Sequence, residues 1–492
     1  MDGQRTNRIY VIGAGFAGQS IAKELKQKGV LGKVVAFLDD DPEKIGRSID
    51  GIPVLGPIAD VVKLLEKTPA DEALIAMPSV PRERITELYR ILEQAQFARI
   101  RILPTISQIL DGDAHFIQTR RIDPQDLLGR TPLRVGLKKS LAYLRGKRVL
   151  VTGAGGSIGS EISRQLLSGG ASRLYLFGHG ENSIYEIDRE LRLLQEEGVG
   201  ERATVVPVIG DLKDADYVQF ILSRLKADVI FHTAAYKHVP MMEANPVGAV
   251  QNNIIGTYNL VEAAKAARTN RLVAISTDKV VEPAGVYGAS KRVAEDIVRA
   301  AAAEGHGFLV VRFGNVLGSR GSILPLFQKQ IAKGGPVTVT DPETKRYFMT
   351  IPEASSLVLQ VGGIGDPSNL YLLDMGEPIQ ILELAKQMIR FYGYEPDKDI
   401  PISYIGLRPG EKLTETLTED QENAEASPYP RILQAHPRRV DTAALARLLA
   451  ALGPICDRRC EDPEAFRNRR RLRAALREYV PSLQEEASEP VY

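Results

Sequence analysis

The sequence predicts an α/β protein of two doubly wound parallel-sheet domains, the second extended by a mixed α/β cap and a helical C-terminal tail. Three observations carry this expectation. The chain has 492 residues, too many for one ordinary hydrophobic core. Two segments share one grammar: a short apolar run, a glycine-rich turn, then a helical period. After each of them, apolar runs of strand length alternate with helical stretches, as in a parallel sheet covered on both faces.

Composition narrows the class. Apolar residues make up 44% and charged residues 25%, as in a globular protein. A formal net charge of +1 gives no long-range field, so nucleic acid is not an expected partner. No run approaches the ~18 to 20 apolar residues needed to span a bilayer. MDGQRTNRIYVIGAG runs straight into a strand and leaves no room for a signal peptide. Cys456 and Cys460 are too few for a disulfide framework and read as reduced thiols of a cytoplasmic protein. The six histidines are scattered without ligand spacing, so no metal site is expected.

The first glycine segment, YVIGAGFAGQSIAKEL, carries Gly13, Gly15 and Gly18. Strand candidates VVAFLDD, EALIAMP and RIRILP follow it, with the helical ERITELYRILEQA among them. This gives a Rossmann-like domain over 1–120 and, lacking such alternation, a linker over 121–147. In the second segment, RVLVTGAGGSIGSEISRQLL, the glycines are Gly153, Gly156 and Gly159, and Ile158, Ile162 and Leu166 are spaced to face the sheet. RLYLFG, TVVPVIGD, DVIFHTAA, RLVAIST and GFLVVRFG complete six strands with RVLVTG. From Ser322 the pattern loosens into a substrate-binding cap, so this domain is expected over 148–420. The tail, 421–492, reads as helical, with Leu445, Leu448, Leu449 and Leu452 on one face and Leu472, Leu476, Tyr479 and Val480 on another. The basic run Arg467, Arg469, Arg470, Arg471 and Arg473 reads as a solvated helix face, with a membrane or partner surface as the alternative.

A glycine turn opening a helix brings backbone N–H groups to a pyrophosphate. TGAGGSIG, from Thr152 to Gly159, has the TGxxGxxG spacing and resembles the extended short-chain dehydrogenase/reductase family. That resemblance implies a dinucleotide held at Gly153, Gly156, Ser157, Ile158 and Gly159, with Asp211 and Leu212 at the adenine. It also implies Ala234, Ala235 and Tyr236 of HTAAYKHVP beside the nicotinamide ribose, and Asn253 as a structural asparagine. Gly178 stands where a ribose-binding carboxylate is common, yet no Lys or Arg follows closely; NAD is therefore expected rather than NADP. In the first domain Asp39 closes a strand about twenty residues after Gly18, at the interval of a ribose carboxylate. Gly13, Gly15, Gly18 and Asp39 thus form either a second nucleotide site or a close-packed turn without one.

The richest stretch is AISTDKVVEPAGVYGASKRVAE, from Ala274 to Glu295. Tyr287 and Lys291 form YxxxK, which puts both on one helix face. The lysine is expected to lower the phenol's pKa so that Tyr287 takes a hydroxyl proton as hydride leaves. Upstream, Thr277 is followed by Asp278 and Lys279. An acid and a base beside a hydride site suit an elimination; the alternative is a solvated ion pair.

STDK followed by YGASK resembles the UDP-N-acetylglucosamine 4,6-dehydratases, the CapD-like polysaccharide biosynthesis family. Further similarity lies in YKHVPMMEANP, RFGNVLGSRGSILPLF, DPETKRYFMTIPEA and GLRPGEKLTE. The resemblance implies Thr277 orienting a UDP-sugar, Asp278 as acid, Lys279 as the base at C5, and Tyr287 with Lys291 as the oxidation pair. His238, Asn315, Arg320, Arg346, Arg408 and Glu411 are its candidates for holding the substrate. It also implies a homo-oligomer, paired through the helix of Tyr287. Long members of that family carry membrane helices ahead of the first domain and often methionine in place of Tyr287; this sequence shows neither. The competing functional readings are a UDP-hexosamine 4-epimerase and a non-catalytic nucleotide-sensing scaffold.

Overall fold

In a computed structural model of the chain, the described residues are 7–28, 32–77, 82–97, 99–102, 120–121, 141–200, 203–364, 370–392, 394–419, 422–436, 438–457, 462 and 464–485. The chain divides into two units, Met1–Thr131 with Lys386–Pro401, and Pro132–Ala385 with Ile402–Tyr492.

The first unit begins β1 (Arg8–Ile12), α1 (Phe16–Lys28), β2 (Lys33–Leu38), β3 (Ser48–Ile49) and β4 (Ile52–Leu55). It continues α2 (Val61–Lys67), β5 (Glu72–Ile75), α3 (Arg82–Gln94), β6 (Arg99–Ile102) and β7 (Arg120–Arg121). The sheet order is β3-β4-β2-β1-β5-β6-β7. Its five central strands run parallel, and β3 and β7 are antiparallel edges. Helices cover both faces, so β1 and β5 are buried nearly end to end and read as continuous apolar runs. The hairpin β3–β4 is absent from the sequence expectation. Its turn, Asp50–Gly51, has positive φ at both residues, which is the Asp-Gly hairpin signal.

The second unit opens β8 (Arg148–Thr152), α4 (Ser157–Ser168), β9 (Arg173–Gly178), α5 (Glu181–Glu196), β10 (Thr204–Ile209) and α6 (Ala215–Leu225). Then come β11 (Val229–His232), α7 (Val239–Ala244), α8 (Pro246–Val250), α9 (Gly256–Ala266), β12 (Arg271–Thr277), α10 (Val286–Ala303) and β13 (Phe308–Phe313). The cap follows as β14 (Asn315–Val316), α11 (Ile323–Ala332), β15 (Val337–Val339), β16 (Lys345–Arg346), β17 (Phe348–Met349) and α12 (Ile351–Val361). Further along are β18 (Leu370–Leu373), β19 (Ile379–Gln380), β20 (Ile402–Tyr404), β21 (Asn423–Ala426), β22 (Ile432–His436), α13 (Thr442–Cys456) and α14 (Arg469–Tyr479), and a helix over Ile381–Phe391 spans the division at Lys386.

The main sheet runs β10-β9-β8-β11-β12-β13-β18-β22-β21. Its first seven strands are parallel, and β22 and β21 extend them antiparallel. Strand order reverses between β8 and β11, which opens a crevice at their carboxyl ends.

Three expectations change. Residues 141–147 are not linker: Leu141 and Leu144 are buried in the second unit's core, and the Tyr143 hydroxyl donates to Leu359 O at 2.7 Å. Residues 423–436 are not helical tail but the β21–β22 hairpin, bonded to the edge of the main sheet. The arginine run is a solvated face only in part: Arg467, Arg470 and Arg471 are exposed, but Arg473 is buried against Glu243 at 3.1 Å and Arg469 donates to Glu243 O at 2.9 Å.

The tail leucines pack as their spacing predicts. Leu445, Leu448, Leu452, Leu472 and Leu476 share one buried cluster with Val293, Ile297 and Ala301 of α10. In all, 14 of the 18 residues of α10 are buried within the single chain. Cys460 and residues 122–140 of the expected linker lie outside the described residues; Cys456 is half-buried, its thiol pushed up to about 12 by burial. Among the described residues no helix is long and apolar enough to cross a membrane, and no cluster of metal-ligating side chains occurs.

Candidate active site

The site lies where β8, β11 and β12 end. Gly153 turns with φ +66, and a Cβ there would come within 2.8 Å of the Ala234 backbone. A Cβ on Gly159 would meet Gly153 O at 2.3 Å, so α4 presses its N-terminus against the turn only because side chains are missing. The first N–H groups of α4 then face the crevice with the positive end of the helix dipole. Gly156 flanks that start with extended backbone, Ser157 opens the helix, and Ile158 is half-buried against the sheet beside fully buried Ile162 and Leu166.

The opposite wall is the segment after β11. Asn253 lies in Gln251–Ile255, a turn wound as a π helix. Its side chain accepts from Tyr236 N at 2.9 Å and donates to Tyr236 O at 3.0 Å, so it grips the segment at Tyr236 by the backbone. Behind the wall, His232 is fully buried and bonded to Thr152 Oγ1 at 2.8 Å and Thr257 Oγ1 at 3.0 Å. Burial holds its pKa down to about 3, so it stays a neutral cross-brace. At the end of β10, Asp211 pairs with Lys213 at 3.2 Å, and Leu212 is buried.

β12 delivers Thr277, and the 3-10 turn Asp278–Val280 follows it. Asp278 is fully buried. Its Oδ1 accepts from Thr277 Oγ1 and Lys279 Nζ, each at 2.9 Å, while its buried Oδ2 has no hydrogen-bond partner. Lys279 also donates to Asn315 Oδ1 at 3.1 Å. The solvated ion pair is thereby excluded: this is an enclosed carboxylate–ammonium contact with one oxygen open to a further donor.

One charge expectation, that for Tyr287, is reversed, and the packed site also sets the charge of Lys279. Lys279 is not poised as a free base: burial works against its charge, but the carboxylates of Asp278 and Glu415 outweigh burial and raise its pKa. Tyr287 is raised rather than lowered, because burial dominates, with Lys279 and the Thr277 hydroxyl opposing it. Lys291 donates instead to Ile275 O at 2.7 Å, and burial pushes it down to about 8.

The substrate candidates divide. Asn315 joins the cluster. Arg346 does not present its guanidinium: it donates to the carbonyls of Lys345, Lys412 and Leu413 at 2.7, 2.6 and 2.8 Å and so fastens the 412–413 segment to β16. Arg408 and Glu411 pair with each other. Arg320 lies over the glycine turn, donating from its backbone to Ser157 Oγ and from its side chain to Gly155 O, both at 3.1 Å. Exposed His238 opens α7 with its ring against Gly321.

Sequence reasoning missed Glu415. It is 6% exposed and its Oε2 has no partner. Burial raises its pKa, opposed by the charge of Lys279. Arg346 and Lys412, the latter donating to Val281 O at 2.9 Å, hold its loop beside the Asp278 turn. In GEKLTETLTED it looks like one more solvated acid, and no local signal marks it.

In the first unit, Asp39 accepts from Ala14 N at 2.7 Å and Asp41 N at 2.9 Å and pairs with Lys44 at 3.4 Å, which closes its carboxylate on its own glycine turn. A Cβ on Gly18 would collide with Gly13 O at 1.9 Å, whereas one on Gly15 would meet nothing within 4 Å. Packing therefore explains Gly18 and leaves Gly15 facing open space.

Comparison with known proteins fits this geometry. The family described as polysaccharide biosynthesis protein matches residues 149–437, and that described as CoA-binding domain matches residues 2–104. The capsular polysaccharide biosynthesis protein CapD of Staphylococcus aureus is 41% identical over 428 residues, covering 86% of this chain and 70% of that protein. The inverting UDP-N-acetylglucosamine 4,6-dehydratase of Campylobacter jejuni is 31% identical over 284 residues, 56% of this chain and 79% of that one. Proteins named UDP-glucose 4-epimerase, from Rickettsia, match over a similar stretch. Among solved structures, Pen from Bacillus thuringiensis aligns with a TM-score of 0.53 at 32% identity, over 61% of this chain and 92% of that one.

Proposed function

Because this chain belongs to the polysaccharide biosynthesis protein family, we propose that it is an NAD(H)-dependent 4,6-dehydratase acting on a UDP-N-acetylhexosamine, UDP-N-acetylglucosamine first. The observation that carries the reading is the buried Asp278–Lys279 contact beside Tyr287, with Asp278 Oδ2 open to a donor. A 4-epimerase needs a base for the 4-hydroxyl and no second acid for a leaving group.

The residues fit the dinucleotide. The cradle at Gly153 and Gly159 admits backbone but no side chain, the start of α4 offers N–H groups, and Arg320 suits a pyrophosphate. No Lys or Arg follows Gly178 before Ile184, which favours NAD over NADP. Bound in this cradle, NAD(H) supplies a hydride acceptor at C4 and a hydride donor at C6.

The protein's own part is proton traffic. Burial alone keeps the Tyr287 phenol protonated, so the reading requires the positive charge of bound NAD, added to that of Lys279, to offset it; the phenolate then takes the 4-hydroxyl proton while Thr277 orients that hydroxyl. A ketone at C4 makes the C5 proton acidic. One proton moved along the 2.9 Å Lys279–Asp278 contact converts the ion pair into a neutral amine and a carboxylic acid, arming base and acid together. Lys279 then takes the C5 proton, and Asp278 gives its proton to the C6 hydroxyl, which leaves as water. Lys279 returns a proton to C5, and the proton gained by Tyr287 restores Asp278.

The test is incubation with UDP-N-acetylglucosamine in heavy water, followed by proton NMR of the sugar. A C6 methyl group with deuterium at C5 is expected. An intact hydroxymethyl group with C4 inverted would make the protein an epimerase instead, and an unchanged sugar would refute the substrate.

A further inference from the structure

The family match ends at residue 437, so α13 and α14 lie beyond it. We propose that α14 is a positioning element of the active site, acting through an Arg473–Glu243 pair that sets the first turn of α10, where Tyr287 sits. The inference rests on the proposed role of Tyr287.

The helix α10 lacks a cap of its own. Its preceding residue is Gly285, which has no side chain to satisfy the first free N–H groups. Glu243, near the end of α7, supplies the missing acceptor from outside the helix: its Oε1 accepts from Val286 N at 2.5 Å. Its negative charge also lies at the positive end of the α10 dipole. Two glycines make room for it. A Cβ on Gly285 would lie 2.6 Å from Glu243 Oε1, and one on Gly410 would lie 2.9 Å from the same oxygen. Gly410 leads directly into the segment that carries Lys412 and Glu415. One carboxylate therefore touches the start of the Tyr287 helix and the start of the loop that carries Glu415.

That carboxylate is nearly buried, its side chain 10% exposed, and Arg473 answers it from a side chain 9% exposed. Arg473 also donates from Nε to Gln484 O at 2.9 Å. The chain just beyond α14 then runs along the loop before Tyr287: Gln484 N donates to Ala284 O and Ser482 Oγ to Pro283 O, both at 3.2 Å. Arg469 adds a bond to Glu243 O at 2.9 Å. The loop Pro283–Val286 is thus held from one side by α7 and from the other by α14. None of these groups reaches the reacting cluster, so their effect on it is positional.

The test is Arg473→Met in the full chain, with hydrogen–deuterium exchange of the 282–290 peptide read beside turnover. Exchange there should rise roughly tenfold, the factor of a lost helix cap, while the rest of the domain is unchanged. The kcat should fall roughly 10- to 100-fold with KM within about twofold, as for a misplaced catalytic group, and Arg473→Lys should recover part of it. If Arg473→Met unfolds the whole domain, Glu243→Gln, which keeps shape and loses charge, carries the same local expectations. Unchanged exchange at 282–290 overturns the clamp, and locally raised exchange with unchanged kcat overturns its role in positioning. Because exchange needs no substrate, a wild-type protein inert toward UDP-N-acetylglucosamine would refute the functional reading and leave the clamp decided separately.

Discussion

Replacing Arg312 by Met should cost the second unit several kcal/mol at neutral pH, and the cost should shrink on acidification. Arg312, Glu295 and Glu422 are essentially free of solvent, at 0%, 1% and 2% side-chain exposure. The guanidinium binds Glu295 through Nε and Nη2 at 3.0 and 2.8 Å, Glu422 through Nη1 and Nη2 at 2.7 and 3.2 Å, and Leu417 O at 2.9 Å. Breaking one buried pair by removing a partner costs about 3 to 5 kcal/mol. Here a single change strands two carboxylates, but each can escape by taking a proton. From an ordinary 4.5, protonation at pH 7 costs ~3.4 kcal/mol per carboxyl at 1.36 kcal/mol per unit, so the stranded charges are bounded at ~7 kcal/mol. At pH 5 the same bound is only ~1.4 kcal/mol.

The wild-type term has the matching sign. Burial works against the Glu295 charge, but Arg312 outweighs it and holds the pKa low; this stability is present above the unfolded pKa and lost as pH falls through the folded one. Urea unfolding of both proteins at pH 7 and pH 5 measures the difference. A deficit of about 4 to 7 kcal/mol at pH 7 that narrows by more than half at pH 5 is expected. A deficit below about 1 kcal/mol, or one independent of pH, would refute the buried-charge argument.

Three further outcomes follow from the site. Asp278→Asn should leave C4 oxidation running, seen as reduced-nicotinamide absorbance, while water loss falls by about 10²- to 10⁴-fold; equal loss of both steps would contradict its role as acid. Glu415→Gln removes a carboxylate that raises the Lys279 pKa, so the limb of the kcat–pH profile requiring neutral Lys279 should move to lower pH, and a shift the other way would sink the assignment. Gly15→Ala meets nothing within 4 Å and should leave stability within about 0.5 kcal/mol while weakening any ligand drawn to that turn; thermal melts and coenzyme A or NAD titrations of the full chain separate these readings.

Local signals carried much of this molecule. The two glycine turns, the parallel strands and the proximity of Thr277, Asp278, Lys279 and Tyr287 are set within a few residues by sterics and helical period, so they read directly. Arg346 did not: its fork suits a phosphate, and only the folded cap shows that three carbonyls already fill it. Arg473 and Glu415 failed to read for the opposite reason. Each stands in a charge-rich stretch that looks solvated, and its burial comes from segments far away in sequence. The direction of the Tyr287 shift was missed because desolvation belongs to the packed site as a whole, whereas the motif shows only the nearest cation.

The cover that α13 and α14 place over α10 also bears on synthesis. As the chain is made from its N-terminus, the Tyr287 helix emerges well before residues 442–483. Until they arrive, the apolar core that Val293, Ile297 and Ala301 share with Leu445, Leu448, Leu452, Leu472 and Leu476 is incomplete. A chain cut short near residue 440 keeps every residue of the reacting cluster and lacks that part of its core. Variants that terminate near residue 440 should therefore be lost to aggregation or degradation before their chemistry is ever tested.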